Sequence, residues 1–131
     1  MSETLLFSGK THNTGGRNGG TRSADASLDL RLAEPHPAAE NLFSAAWSAC
    51  YMGAIQLAAA QRKIKLAADL TVDAEIDLLR DGDAFFLRAR LSVSVPGVER
   101  EQAQALLEAA HKICPYSKAV HGNIKVTTTL V

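Results

Sequence analysis

Aromatic side chains are scarce, 5% of the 131 residues with a single tryptophan, so any core must be filled mainly by Ala, Leu, Ile and Val. Cysteine is scarcer still, with only Cys50 and Cys114. A secreted scaffold that relied on disulfides would carry more, so two thiols read as a redox pair or as small buried hydrophobes. Neither sign of charge is in excess, because 14 Lys and Arg balance 14 Asp and Glu. Nucleic-acid binding needs a surplus of cations to displace counterions from phosphates, so that class is disfavoured. A net charge near zero also favours association between chains. The opening Met1-Ser2-Glu3-Thr4-Leu5-Leu6-Phe7 has no basic segment and no long apolar run. No signal peptide is therefore expected, and the expected compartment is the cytoplasm, where thiols stay reduced. The GxxxxGK[ST], GxGxxG and GxSxG patterns are all absent, which removes the common phosphate, dinucleotide and nucleophile-elbow readings. His111-x2-Cys114-x6-His121 has no paired metal-ligand spacing, and no metal is expected.

The length suits one domain spanning residues 1–131. Apolar residues make up 47% and charged residues 21%, as in an ordinary globular protein. A first strand is expected over Leu5–Thr11. His12–Arg22 is rich in Gly and Asn and reads as a turn or flexible loop. Leu28, Leu30 and Leu32 alternate with Asp29 and Arg31, as in a half-buried strand. Pro35 and Pro37 punctuate the chain before a long helical stretch, Ala38–Lys63. Residues 41–61 within it carry no charge at all. That length would span a membrane, yet Asn41, Ser44, Ser48, Gln56 and Gln61 interrupt it and many positions are Ala. A buried core helix is the favoured reading, and no membrane is expected. A chain this short has trouble wrapping a helix on every side, which points to a partner subunit.

Val72, Ala74, Ile76 and Leu78 then alternate with Asp73, Glu75 and Asp77. Phe85, Leu87, Ala89, Leu91, Val93 and Val95 alternate with Phe86, Arg88, Arg90, Ser92 and Ser94. Asp81-Gly82-Asp83 marks a hairpin between the two strands, and the acidic and Arg-bearing rows are placed to pair across it. Ala103, Leu106, Leu107, Ala110 and Ile113 predict a second amphipathic helix over Glu99–Cys114, with acids early and His111 and Lys112 late, as the helix dipole prefers. Pro115 breaks or restarts it. Ile124, Val126, Thr128 and Leu130 predict a last strand. The order β-β-α-β-β-α-β with hairpins favours the α+β class.

Cys50 lies inside the apolar helix and Cys114 at the end of the second. Spacing alone does not say whether they meet. A working thiol needs a cation, because the thiolate is the nucleophile and burial raises its pKa. Arg17, between glycines, is available for that or is a solvated loop residue. Glu40 is the acid nearest the start of the apolar helix, and dipole stabilisation alone would account for it.

Three motifs together resemble the organic hydroperoxide resistance proteins of the OsmC-like superfamily, over nearly the whole chain. They are Gly15-Gly16-Arg17-Asn18-Gly19, Glu40-Asn41-Leu42-Phe43 leading to Trp47-Ser48-Ala49-Cys50, and Ala110-His111-Lys112-Ile113-Cys114-Pro115-Tyr116-Ser117 with Gly122-Asn123-Ile124 beyond. The resemblance implies an α+β, OsmC-like fold: an antiparallel sheet with buried central helices, in an intertwined homodimer with sites at the subunit interface. It implies a thiol peroxidase that reduces organic hydroperoxides to alcohols, with Cys50 peroxidatic, Cys114 resolving, Arg17 stabilising the thiolate and Glu40 holding Arg17. It implies no resident cofactor and re-reduction by an external dithiol of the lipoylated-protein type. The chain departs from the family pattern before Glu40. It runs from Leu32 through Ala-Glu-Pro-His-Pro-Ala-Ala, where the family has a longer Gly-rich segment ending in Asn-Pro-Glu-Gln. Ten residues of helix rise about 15 Å, so Glu40 and Cys50 cannot touch along one straight helix. Arg17 must then bridge them, Glu40 must fold back from before the helix, or a second subunit must contribute. The alternative is a non-catalytic OsmC-like dimer, a binding or structural domain with inert cysteines.

Overall fold

The computed structural model describes residues 2–32, 38–67 and 69–131. It forms two compact units, Met1–Ala39 and Glu40–Val131. The shortened stretch containing Pro35, His36 and Pro37 lies outside the described residues.

The first unit is an antiparallel sheet of β1 (Thr11–Thr14), β2 (Gly20–Ser23) and β3 (Asp29–Arg31), in that order. The stretch 12–22, expected as a turn or flexible loop, forms a hairpin around a turn, with Thr11 opposite Ser23 and Thr14 opposite Gly20. Its tip is one 3-10 turn, Gly16–Asn18. Gly15 and Gly16 hold φ of 70° and 59°, a region only glycine enters without cost. A Cβ on Gly19 would sit 1.6 Å from the Thr14 carbonyl oxygen. The glycines thus close a tight strand pair, and β1 escaped the sequence reading because Thr-His-Asn-Thr has no apolar alternation. The strand expected over Leu5–Thr11 starts only at Thr11. β2 ends opposite that residue, so this unit has no described strand left to pair with 5–10. β3 lies where a half-buried strand was expected, but its Leu30 is 41% exposed. Among its described residues this unit has no α-helical layer of its own to cover it.

The second unit is built on α1 (Ala38–Gln61). Trp47, Tyr51, Ala54, Ile55 and Ala58 recur at helical spacing and are buried. Ala45, Ala49, Gly53 and Ala60 lie exposed, and Leu57 is 49% exposed. Within one chain the helix is thus covered on one face only, as expected where the chain is too short to wrap it. β4 (Thr71–Asp81) and β5 (Ala84–Ser94) form the expected hairpin, with Asp81 opposite Ala84 and Gly82 at φ 61°. Glu75 faces Arg90 and Asp77 faces Arg88. The ion pairs that follow include Arg88–Asp77 at 2.8 Å and Arg90–Glu75 at 3.1 Å.

α2 (Arg100–Ile113) buries Ala103, Leu106, Leu107 and Ala110, the stripe its spacing predicts. Pro115 restarts a helix as the first residue of α3 (Pro115–Val120). β6 (Lys125–Leu130) then lies beside β5 but parallel to it, with Arg88 opposite Lys125 and Val93 opposite Leu130. The expected antiparallel sheet is therefore mixed at this edge. The crossover through α2 and α3 returns the chain to the end where β5 began, and such a connection makes a parallel pair. Ala89, Leu91 and Val93 of β5, with Val95 just beyond it, pack with Trp47, Tyr51, Ile55 and Leu107 in one core. Each large side chain buried there contributes about 1.5–3 kcal/mol. The class is α+β, as expected.

Candidate active site

The core fixes where the two cysteines meet. Cys50 is on α1, half-buried, one turn beyond the buried Trp47. Cys114 is fully buried at the junction of α2 and α3. Pro115 disfavours helical geometry in the residue before it, and Cys114 accordingly adopts an extended ψ of 118°. That kink turns its side chain into the role of N-cap for α3, accepting the Ser117 N–H at 3.5 Å. Both cysteines are free, and their sulfurs are 2.9 Å apart. A disulfide is about 2.05 Å long, so bond closure needs a shift of only about 0.9 Å. Burial pushes the Cys50 thiol up, and the hydrogen bond and charge of Cys114 push the same way. The Tyr116 backbone N–H, from the first turn of α3, opposes them.

A polar network ties the cysteine-bearing elements together. The Trp47 indole N–H donates to Ser117 Oγ at 3.0 Å, in the interior. His111 Nδ1 lies 2.9 Å from the same oxygen, and His111 Nε2 lies 2.7 Å from Thr128 Oγ1. A neutral imidazole donates through one nitrogen and accepts through the other, which suits two hydroxyl partners. Burial depresses the His111 pKa and favours that neutral form. Tyr51 stacks at a tilt on His111, with centroids 4.4 Å apart, and donates its hydroxyl to the Leu107 carbonyl at 2.9 Å. Burial, and then the charge of Cys114, raise the Tyr51 pKa, so the phenol keeps its proton. Phe43 meets Trp47 edge-on at 6.0 Å. The sequence singled out His111 without a role and missed the bond from Trp47 to Ser117. The one available signal was position: Trp47 is three residues before Cys50, and Ser117 three after Cys114.

Glu40 lies in the first turn of α1, the helix that carries Cys50. It therefore does not precede the helix, and about 15 Å of axial rise separates it from Cys50. Arg17 is in the 3-10 turn of the first unit. Among the described residues, no group of three or more His, Cys, Asp and Glu gathers to hold a metal ion, the set containing His111, Cys114 and His121 included.

Residues 32–129 match the family described as OsmC-like protein. An organic hydroperoxide resistance protein of Xanthomonas axonopodis pv. citri is 36% identical, over 98% of this chain and 96% of the relative. The crystal structure of the organic hydroperoxide resistance protein OhrB of Bacillus subtilis superposes with a TM-score of 0.89 at 35% identity, over 97% of this chain and all of that one. A Vibrio cholerae structure, described as an organic hydroperoxide resistance protein with captopril in one of its active sites, matches with a TM-score of 0.88 at 30% identity, over 99% of this chain and 95% of that one. The chain belongs to the organic hydroperoxide resistance family of OsmC-like proteins.

Proposed function

We propose that the protein is a Cys-based peroxidase that reduces organic hydroperoxides to alcohols. The observation that carries this reading is the 2.9 Å approach of two free thiols at the buried α1–α3 junction. The Cys50 thiolate attacks the terminal oxygen of ROOH. The O–O bond breaks, the alkoxide takes a proton and leaves as ROH, and Cys50 becomes a sulfenic acid. Cys114 then displaces water from that sulfur to form the disulfide. An external dithiol, of the lipoyl type carried on a protein, restores both thiols by exchange and leaves as its own disulfide.

Burial raises the Cys50 pKa, so the attack needs a cation. Arg17 fills that role in this proposal, since a guanidinium is always charged and its donor fork serves sulfur and peroxide oxygen together. Glu40 holds that guanidinium. The small-residue face of α1 that stays exposed, together with Leu5, Leu6 and Phe7 at 81%, 92% and 84% exposure, supports a homodimer that covers them. In this reading residues 1–131 act as one domain, in the cytoplasm, with no resident cofactor.

The test is a thiol count. Reduced protein is mixed with cumene hydroperoxide or hydrogen peroxide, and free thiols are followed. Rapid loss of both thiols with the organic peroxide, abolished in Cys50→Ser, is expected. In Cys114→Ser, mass spectra should show Cys50 over-oxidised to the sulfinic acid. Thiols that persist through excess organic peroxide would leave a non-catalytic binding or structural dimer instead.

A further inference from the structure

His111 is a half-buried imidazole that the proposed chemistry does not use. Its bonds nevertheless lead to the turn that holds both sulfurs. An indole can only donate, so Ser117 Oγ accepts the Trp47 N–H at 3.0 Å. The Ser117 hydroxyl proton then needs an acceptor. Among the described residues that acceptor is His111 Nδ1, at 2.9 Å. An Nδ1 that accepts leaves the imidazole proton on Nε2, which donates to Thr128 Oγ1 at 2.7 Å. The donors thus run one way, from Trp47 on α1 to Ser117 on α3, His111 on α2 and Thr128 on β6. Trp47 and Ser117 are buried within a single chain, so these bonds need nothing from a second subunit. Ser117 also sits in the first turn of α3. That turn offers the Tyr116 N–H to Cys50 and, at 3.5 Å, the Ser117 N–H to Cys114. The two sulfurs must still close by about 0.9 Å, and a misplacement of about 1 Å can slow a reaction about a hundredfold.

We propose that His111 is a positioning residue for disulfide closure: by accepting the Ser117 hydroxyl it pins the first turn of α3, and with it the Cys114 sulfur, against Cys50. The step it serves is attack of the Cys114 sulfur on the sulfur of oxidised Cys50. The S–S bond forms, the S–O bond of the sulfenic acid breaks, and the hydroxide leaves as water with the Cys114 proton. The sulfenic acid rests on the peroxidase reading, but the closure geometry does not. A disulfide reagent on Cys50 supplies a thiolate leaving group in place of hydroxide and demands the same approach of Cys114. Without His111 the Ser117 proton loses its acceptor, and Ser117 Oγ no longer ties α3 to α2 and β6.

Closure is read without peroxide. Reduced protein is mixed with dithiodipyridine, and thiopyridone release is followed by stopped-flow absorbance. Cys50 takes one pyridylthio group and releases one thiopyridone. Cys114 then displaces a second thiopyridone in a first-order phase that does not depend on reagent concentration. His111→Phe keeps a ring beside Tyr51, and His111→Asn supplies an amide oxygen in place of Nδ1 as acceptor. Circular dichroism melts confirm that each variant is folded. His111→Phe should slow the second phase about tenfold or more, and His111→Asn should restore it to within about threefold of wild type. In cumene hydroperoxide the sulfenic acid partitions between closure and over-oxidation. His111→Phe should therefore form sulfinic acid at an about tenfold lower peroxide concentration, however fast the sulfenic acid itself arises. A folded His111→Phe that closes at the wild-type rate overturns the proposal, even if peroxide oxidises both thiols as expected. Equal slowing in His111→Phe and His111→Asn also overturns it, because His111 would then be a packing residue. So does a wild type that releases fewer than two thiopyridones, or whose second phase scales with reagent. Slow closure in His111→Phe, rescued in His111→Asn, beside wild-type thiols that persist through peroxide would reject the peroxidase reading and leave the positioning role standing.

Discussion

Replacing Ser117 by Ala tests the network that joins the two cysteine-bearing regions. Ser117 is 5% exposed and Trp47 fully buried. The substitution removes one oxygen and leaves the backbone N–H that reaches Cys114. The Trp47 indole N–H and His111 Nδ1 both lose their partner. Leaving a buried polar group unsatisfied costs about 1–3 kcal/mol. Two such groups would cost about 2–6 kcal/mol, but His111 is only half-buried, and water reaching it replaces part of what is lost. The expected destabilisation is therefore about 2 kcal/mol. With an unfolding entropy near 2.1 cal/mol/K per residue, that lowers Tm by about 7 °C at fixed protein concentration. Thermal melts followed by circular dichroism give the value. The cause is isolated by a cycle with Trp47→Phe, which deletes the indole N–H. In that background Ser117→Ala should cost about 1 kcal/mol less, because only His111 is then orphaned. A single-variant loss under about 0.5 kcal/mol, the size of an ordinary surface substitution, would refute the reasoning. Strict additivity in the cycle would do the same for the role of Trp47.

Three further outcomes follow from the geometry. Gly19→Ala drives a Cβ into the Thr14 carbonyl, and amide hydrogen exchange should show β1 and β2 losing protection while α1 and β5 keep theirs; unchanged protection in β1 would contradict the steric argument. Hydrogen bonds from Arg90 and then Arg88 hold the Asp77 carboxyl well below the usual carboxylate range. A depressed folded-state pKa gives stability that is full above the unfolded value of about 3.9 and lost as pH falls toward the folded one. Wild type should thus lose Tm more steeply on acidification than Asp77→Asn, and parallel curves would rule the ion pair out as the cause. Burial lowers the His111 pKa from its ordinary 6.5. Its contribution to stability is present above that value and is lost as pH falls toward the folded pKa; an NMR titration midpoint for His111 at or above 6.5 would be inconsistent with a ring kept neutral by burial.

Much of the second unit was legible in its sequence, because its elements are set by periodicity. Alternation of Val72–Leu78 and Leu87–Val93, Gly82 at the turn and the 103-106-107-110 stripe each encode one side of an element that faces a core. The cross-strand charges were legible for the same reason: register fixes which residues face each other once the turn is known. The first unit was harder to read. Thr11–Thr14 is held by backbone pairing that has no side-chain signature, and its glycines report tight approach as readily as flexibility.

The sequence by itself determined the inventory: two thiols, one guanidinium among glycines, one acid ahead of the uncharged run 41–61, and a charge balance without surplus. It also determined the kink at Cys114, since the proline after it excludes a continuous helix. Only the tertiary structure decided that Cys50 and Cys114 meet at 2.9 Å across 64 positions of chain. That distance depends on how α1 and α2 pack on β5, and packing is a property of filled volume that no local pattern records. The structure alone also decided that one chain covers a single face of α1, and that His111, Ser117 and Trp47 form one network. Those contacts are long-range, and a hydrogen bond between residues 70 positions apart exists only after the core between them has closed.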